Sequence, residues 1–346
     1  MLDPPEDIPN TEQEERRRVF WSVYLLDRLV SCGRGRPPAI IDASCHLQLP
    51  CENDLWKRGI WRKTLSLDQM TDRTLIMPEK QGYFAHLIAV AHIMGRCAQY
   101  MMQEYNIRSP HPLWESGSDF AAIESDLLHA ETYLELDSSL GEILQAHMTD
   151  EAMVDHQTMG PIIYSRALFH LCHCLLYHPF LLRRRLQACF NRPPASFLSR
   201  AFGTSWQHAQ DMIQLIQDSR NRGCLFNSSF GGYCLTVAGS VLALWAHQAG
   251  DRHLLASSLL RETITYVDDI GHYWPNVKAM VCGRSSYALH LLVVWLFRLL
   301  IFPSPGLAAS ARSKSDPPAW QPVRLAADKR NTVPRGDQHY MVHCRL

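Results

Sequence analysis

Apolar side chains recur at helical spacing in the first long segment of the chain. Val19, Phe20, Val23, Leu26 and Val30 make one stripe between Thr11 and Cys32. The same periodicity returns along most of the sequence, at residues 83–105, 120–136, 161–177, 205–220, 232–249, 254–274 and 277–302. No run alternates with a period of two between hairpin turns, so strands have no support. This pattern constrains the chain to an all-α fold, a large multi-helix domain. Thr11 followed by Glu14 has capping-box spacing and predicts the first helix start. Gly33, Gly35, Pro37 and Pro38 end that helix. Pro161 is placed for a helix start, and Pro179 biases His178 out of a helix. Residues 39–80 mix short apolar pieces with polar breaks and read as a long irregular connection after the first helix. From Pro303 onward the chain is rich in Pro, Ser, Arg and Gly without periodicity, which predicts a disordered C-terminal tail. The expected organisation is a lead-in at 1–10, a helical domain at 11–302 and a tail at 303–346.

Charge and cysteine content narrow the function. With 34 basic and 34 acidic residues the chain is formally neutral, so bulk electrostatics do not favour direct contact with nucleic acid. Eleven cysteines without CxxC spacing predict reduced thiols. The acidic, proline-rich start MLDPPEDIPN does not resemble a targeting leader. The most membrane-like stretch, residues 287–302, is shorter than a span and contains His290 and Arg298; it reads as a core helix.

One residue in the first helix does not fit its surroundings. Asp27 falls on the predicted apolar stripe, and a buried carboxylate must find partners. The following loop offers Arg34, Arg36 and glycine amides. A helix-to-loop clasp without chemistry is the expected role.

The segment as a whole resembles the middle homology region of fungal zinc-cluster transcription factors. Glu14, the run Arg16, Arg17 and Arg18, then Trp21 and the pair Asp27 and Arg28 come in the family's order. The turn Gly35, Arg36 and Pro37 begins eight residues after Asp27, and Pro50 closes the segment. Asp42 matches an acidic position frequent after the turn. Residues 175–186 resemble the family's later histidine-proline helix end, and stretches around Trp206, Phe230 and Trp274 resemble its C-terminal helices more loosely. The resemblance implies a regulatory domain, incomplete at its N-terminus, of a nuclear regulator of RNA polymerase II transcription. It implies transcription machinery or co-regulators as partners, together with a small-molecule effector and homodimer formation. DNA contact would come through a separate six-cysteine cluster holding two zinc ions. This sequence lacks the close cysteine spacing that such sites need, so zinc is expected only in that other module.

Arg34, Gly35, Arg36 and Pro37 match the core of an AT-hook, but the family turn already accounts for them. Arg16–Arg18 and Arg183–Arg185 read as arginines at the rim of packed faces, the latter a weak candidate for nuclear import. His170, Cys174 and His178 recur at four-residue steps that could hold a metal, although Pro179 disturbs the last turn; no metal site is expected. Tyr233, Trp245, Tyr266, Tyr273 and Trp274 are candidate linings of an apolar ligand pocket. No nucleophile elbow, phosphate loop, zinc-protease motif or dinucleotide turn is present, so neither catalytic nor cofactor-binding residues are expected, and the chain is read as no enzyme. The alternative function is a helical small-molecule-binding protein, or a degenerate paralogue, without a role in transcription.

Overall fold

The computed structural model describes residues 8–32, 37–75, 81–103, 111–136, 138–147, 155–187, 189, 192–224, 226–247 and 252–282. Twelve α-helices and no strands are present among them. They are α1 (Asn10–Ser31), α2 (Asn53–Lys57), α3 (Leu67–Thr71), α4 (Tyr83–Ala98), α5 (Asp119–Leu134), α6 (Leu140–Ala146), α7 (His156–Leu176), α8 (Pro179–Gln187), α9 (Ala195–Asn221), α10 (Ser229–Ala246), α11 (His253–Tyr273) and α12 (Pro275–Cys282). A π turn, Gln99–Gln103, extends α4. Residues 287–302 and the tail from 303 lie outside the described residues.

The centre of the domain is α4 packed on α7, with α1 and α5 against α4 and with α9 and α10 against α7. In α4, Ala85, Ile88, Ala89, Val90, Ala91, Met94 and Cys97 are fully buried, so this helix is apolar around most of its circumference. Helix α10 is long and apolar enough to cross a membrane by length and composition. Its Cys234, Leu235, Ala238, Val241 and Leu242 are nevertheless buried in the core, where it packs on α7, α9 and α11. Gly232 permits the close approach of α12, since a Cβ there would lie 2.5 Å from Val277 Cγ1. Nine cysteines, Cys282 not among them, are free, and eight of these are buried, where they pack as small apolar groups.

Local signals explain most boundaries. The Ser118, Ser139 and Ser228 hydroxyls each accept the amide that opens α5, α6 and α10, and Ser139 with Glu142 completes a capping box. Helix α5 ends at Glu135 in the left-handed region (φ 50°), where its carbonyl accepts from the Arg166 guanidinium. Several expectations are corrected. Helix α1 begins at Asn10 behind Pro9 without a side-chain cap, because the proline at that position has no side-chain acceptor. Pro161 sits inside α7, which starts at His156 with the Asp155 carboxylate as its cap. The connection at 39–80 contains α2, α3 and a short 3-10 turn, Asp42–Ser44.

Candidate functional site

The face of α1 that enters the core is not the aliphatic stripe. Glu14, Trp21, Tyr24 and Arg28 are buried, whereas Val19, Val23, Leu26 and Val30 are 50–64% exposed. Trp21 and Tyr24 carry large apolar surface inward, and the charged members of the buried face find partners in residues 39–53.

Glu14 Oε1 accepts the Cys51 amide at 2.9 Å and Arg18 Nε at 3.1 Å, while Oε2 lies 2.9 Å from Arg17 Nη1. Arg18 continues the network by donating to Asn53 Oδ1 at 2.9 Å and to the Cys51 carbonyl at 2.7 Å, with its guanidinium 4.3 Å over the Trp56 ring. Trp21 Nε1 donates to the Gln48 carbonyl at 2.8 Å. At the other end of α1, Asp27 accepts the amides of Ala39 and Ile40 at 3.0 and 3.1 Å. Arg28 donates to the Ile40 carbonyl, lies 3.3 Å from Asp42 Oδ1, and stacks 4.5 Å over the Tyr24 ring. Its stem occupies space left by Gly95 of α4, where a Cβ would meet Arg28 Cδ at 3.1 Å.

Asp42 gathers the inner end of the network. It accepts the Tyr24 hydroxyl at 2.6 Å and lies 3.3 Å from His92 Nδ1 on α4. Burial alone would raise its carboxyl, but hydrogen bonds from His92 and Tyr24 and the Arg28 charge hold it down to about 2. Burial and the same Asp42 contact push the Tyr24 hydroxyl well above its ordinary range.

Of the family-signature residues, Glu14, Arg18, Trp21, Asp27 and Arg28 bond one connecting segment, Arg17 joins them through Glu14, and Pro50 is buried in that segment. Arg16 stays outside this network, paired with Glu12 at 2.7 Å on the surface, and Pro37 is exposed. Gly35 and Arg36 lie outside the described residues, as do Arg34 and with it the hook-like motif. Tyr24, Gln48, Asn53, Trp56 and His92 were not picked out from the sequence. Tyr24 alone carried a usable signal, standing three residues after Trp21 and four before Arg28 on one helical face.

Beside this network an apolar groove encloses about 870 Å³. Leu25, Leu26, Leu29 and Val30 of α1 form one wall, facing Phe84 and Leu87 of α4, Pro161 and Tyr164 of α7, and Phe230 and Tyr233 of α10. Ser228, Trp274 and Asn276 add polar edges. Of the aromatic residues expected in a pocket, Tyr233 and Trp274 are in this wall. Trp245 instead packs on Trp206, Tyr266 lies under the Arg220 guanidinium, and Tyr273 is 70% exposed.

The His170, Cys174 and His178 series does not converge. His178 Nε2 pairs with Ser240 Oγ at 2.8 Å, and Cys174 is buried with its thiol pushed up by burial. Arg185 is buried with its guanidinium 3.8 Å over Tyr100.

A helical scaffold with an arginine–carboxylate network at one end and an apolar groove along its flank has the build of a binding module. Residues 3–138 match the model of the fungal specific transcription factor domain. It is 25% identical over 294 residues to a Zn(2)-C6 fungal-type transcription factor, FTF1c, of Fusarium oxysporum f. sp. lycopersici, covering 80% of this chain and 30% of that protein. Similarity to FTF2 of the same fungus is 25% over 302 residues, covering 82% of this chain and 27% of the relative. An uncharacterized transcriptional regulatory protein of Schizosaccharomyces pombe is 30% identical over 136 residues, 37% of this chain and 14% of its own length. The chain thus spans less than a third of these relatives. No solved structure matches. The sequence contains no CxxC pair, and no three cysteine sulfurs converge among the described residues, so the cysteines present do not fit a zinc cluster.

Proposed function

We propose that this chain is the regulatory portion of a nuclear transcription factor acting on RNA polymerase II promoters, and that an apolar small molecule bound in the groove beside α1 sets its output. The groove carries this reading. Its volume suits one drug-sized or metabolite-sized ligand, its wall is largely aliphatic and aromatic, and its few polar groups can fix orientation. One wall belongs to α1, which also bears the family residues, so an occupant touches the helix that organises the domain. In this reading Glu14, Arg17, Arg18, Asp27 and Arg28 are a structural clasp, DNA is reached through a zinc cluster outside this sequence, and co-regulators or a second copy bind on the surface.

The test is fusion of the chain to a heterologous DNA-binding domain in a fungal reporter strain, alongside binding of anilinonaphthalene sulfonate to the purified chain. Gly160 lines the groove, and a Cβ there meets nothing within 4 Å, so Gly160→Phe fills the space without a collision at its root. The expected result is that Gly160→Phe abolishes dye binding and fixes reporter output. A fusion with no reporter output, paired with saturable dye binding, would instead support a helical small-molecule-binding protein outside transcription. Reporter output unchanged by Gly160→Phe would remove the groove from the mechanism.

A further inference from the structure

Four groups outside both the clasp and the groove gather between α7 and α9. His170 Nδ1 and His208 Nδ1 face each other at 3.0 Å. The Asp211 carboxylate stands one helical turn beyond His208 on the same face of α9, and the three ligand-type atoms all lie within 4.8 Å of one another. His173, one turn beyond His170, stacks flat on His208 with ring centroids 3.8 Å apart and planes within 2°. Phe169 presents its ring edge-on to His173 and His208 and so packs both.

Two observations require explanation. His173 is 94% buried (6% exposed), and neither of its ring nitrogens has a hydrogen-bond partner, so the groups around the cluster do not satisfy it. Opposed Nδ1 atoms at 3.0 Å also leave room for only one proton between them, so one ring must present a bare lone pair. Tetrahedral coordination at about 2.0–2.1 Å per nitrogen places two ligand nitrogens about 3.3 Å apart. That requires the imidazoles to separate by a few tenths of an ångström and the carboxylate to close by no more than about 1.5 Å. The half-buried site opens on a cavity of about 430 Å³, which gives an ion its entry path.

We propose that His170, His208 and Asp211 bind one divalent transition-metal ion of the Zn²⁺ class, cross-linking α7 to α9. Two imidazoles and one carboxylate match Zn²⁺ in ligand type and exclude the all-oxygen preference of Mg²⁺ and Ca²⁺. On binding, both Nδ1 lone pairs turn to the ion, and the ring that carried the shared proton at Nδ1 carries it at Nε2 instead. The histidines therefore release no proton. Asp211 Oδ1 already accepts from Gln207 Nε2 at 2.9 Å, which orients the carboxylate and leaves Oδ2 for the metal. His173 supports the His208 ring by stacking.

The full chain, stripped with chelator, is titrated with CoCl₂ and followed by visible absorption. The expected result is the intense d–d bands of four-coordinate Co²⁺, bleached by ZnCl₂, with a higher thermal midpoint in the metal-loaded protein. Asp211→Asn and His208→Gln each weaken binding more than about tenfold. Asp211→Asn keeps the side-chain shape, so its metal-free melting curve shows whether the fold is intact. His253 is exposed on α11, and His253→Ala leaves the bands unchanged. Absence of the bands, bands that survive Asp211→Asn and His208→Gln in folded protein, or bands lost with His253→Ala would overturn the assignment.

Discussion

Asp27 shows how a residue that looks misplaced in the sequence is accommodated. Its two oxygens accept the adjacent amides of Ala39 and Ile40, and Arg28 beside it lies 3.7 Å from Asp27 Oδ2 while reaching Asp42 and the Ile40 carbonyl. Neighbours in sequence thereby hold both polar faces of one backbone segment. Removing the carboxylate strands two amides, so Asp27→Ala should lower unfolding free energy by about 1–3 kcal/mol. Urea denaturation of the variant against the parent measures this, and an unchanged midpoint would mean that the contact contributes nothing. The choice of arginine at position 28 follows from geometry: a planar guanidinium can stack on Tyr24 while its edge donates to two acceptors.

At the scale of elements, α1 was assigned the correct type and nearly the correct ends, but the wrong inward face. The aliphatic stripe counts as hydrophobic on any scale, while the face that is buried mixes Trp21 and Tyr24 with Glu14 and Arg28. Periodicity weighs side chains one at a time and cannot know that the charged ones will be paired. A direct consequence is testable. Val19 and Val23 are 64% and 53% exposed, so Val19→Thr and Val23→Thr should each shift stability by no more than about 0.5 kcal/mol. Thermal melts showing a loss of 2 kcal/mol or more would place that stripe in a core. Short helices were also missed in residues 39–80. Helix α3 carries a Ser66–Gln69 capping box that was legible, whereas α2 has only five residues and no side-chain cap to announce it.

Taken as a whole, the domain buries an unusual number of histidines in neutral form, which ties its stability to pH. Burial drives His178 down from its ordinary 6.5 to about 4, and burial likewise depresses His208 and, together with neighbouring positive or imidazole groups, His170 and His173. The unfolded chain takes up protons below pH 6.5 that the folded chain refuses until near pH 4. Stability is therefore greatest above pH 6.5 and is lost as pH falls through that window. For His178 the loss is about 2 kcal/mol by pH 5. His178 faces Ser240 Oγ and the Phe180 amide, both uncharged, so His178→Gln isolates the effect. The melting temperature of the variant should fall less steeply between pH 7 and pH 5; parallel slopes would show that His178 is not the titrating group.

Helical period without alternation was enough to determine an all-α chain. The order of Glu14, Arg17, Arg18, Trp21, Asp27 and Arg28 was enough to determine its resemblance, because both are local patterns read along one strand of sequence. The bounds of α7 and α9, the inward face of α1 and the groove were decided only when segments distant in sequence met. Asp42 and His92, or His170 and His208, are separated by long stretches of chain, and no spacing rule links them. Burial energy is a property of the packed assembly. A charged helix face can outcompete an aliphatic one only when a specific loop supplies its hydrogen bonds.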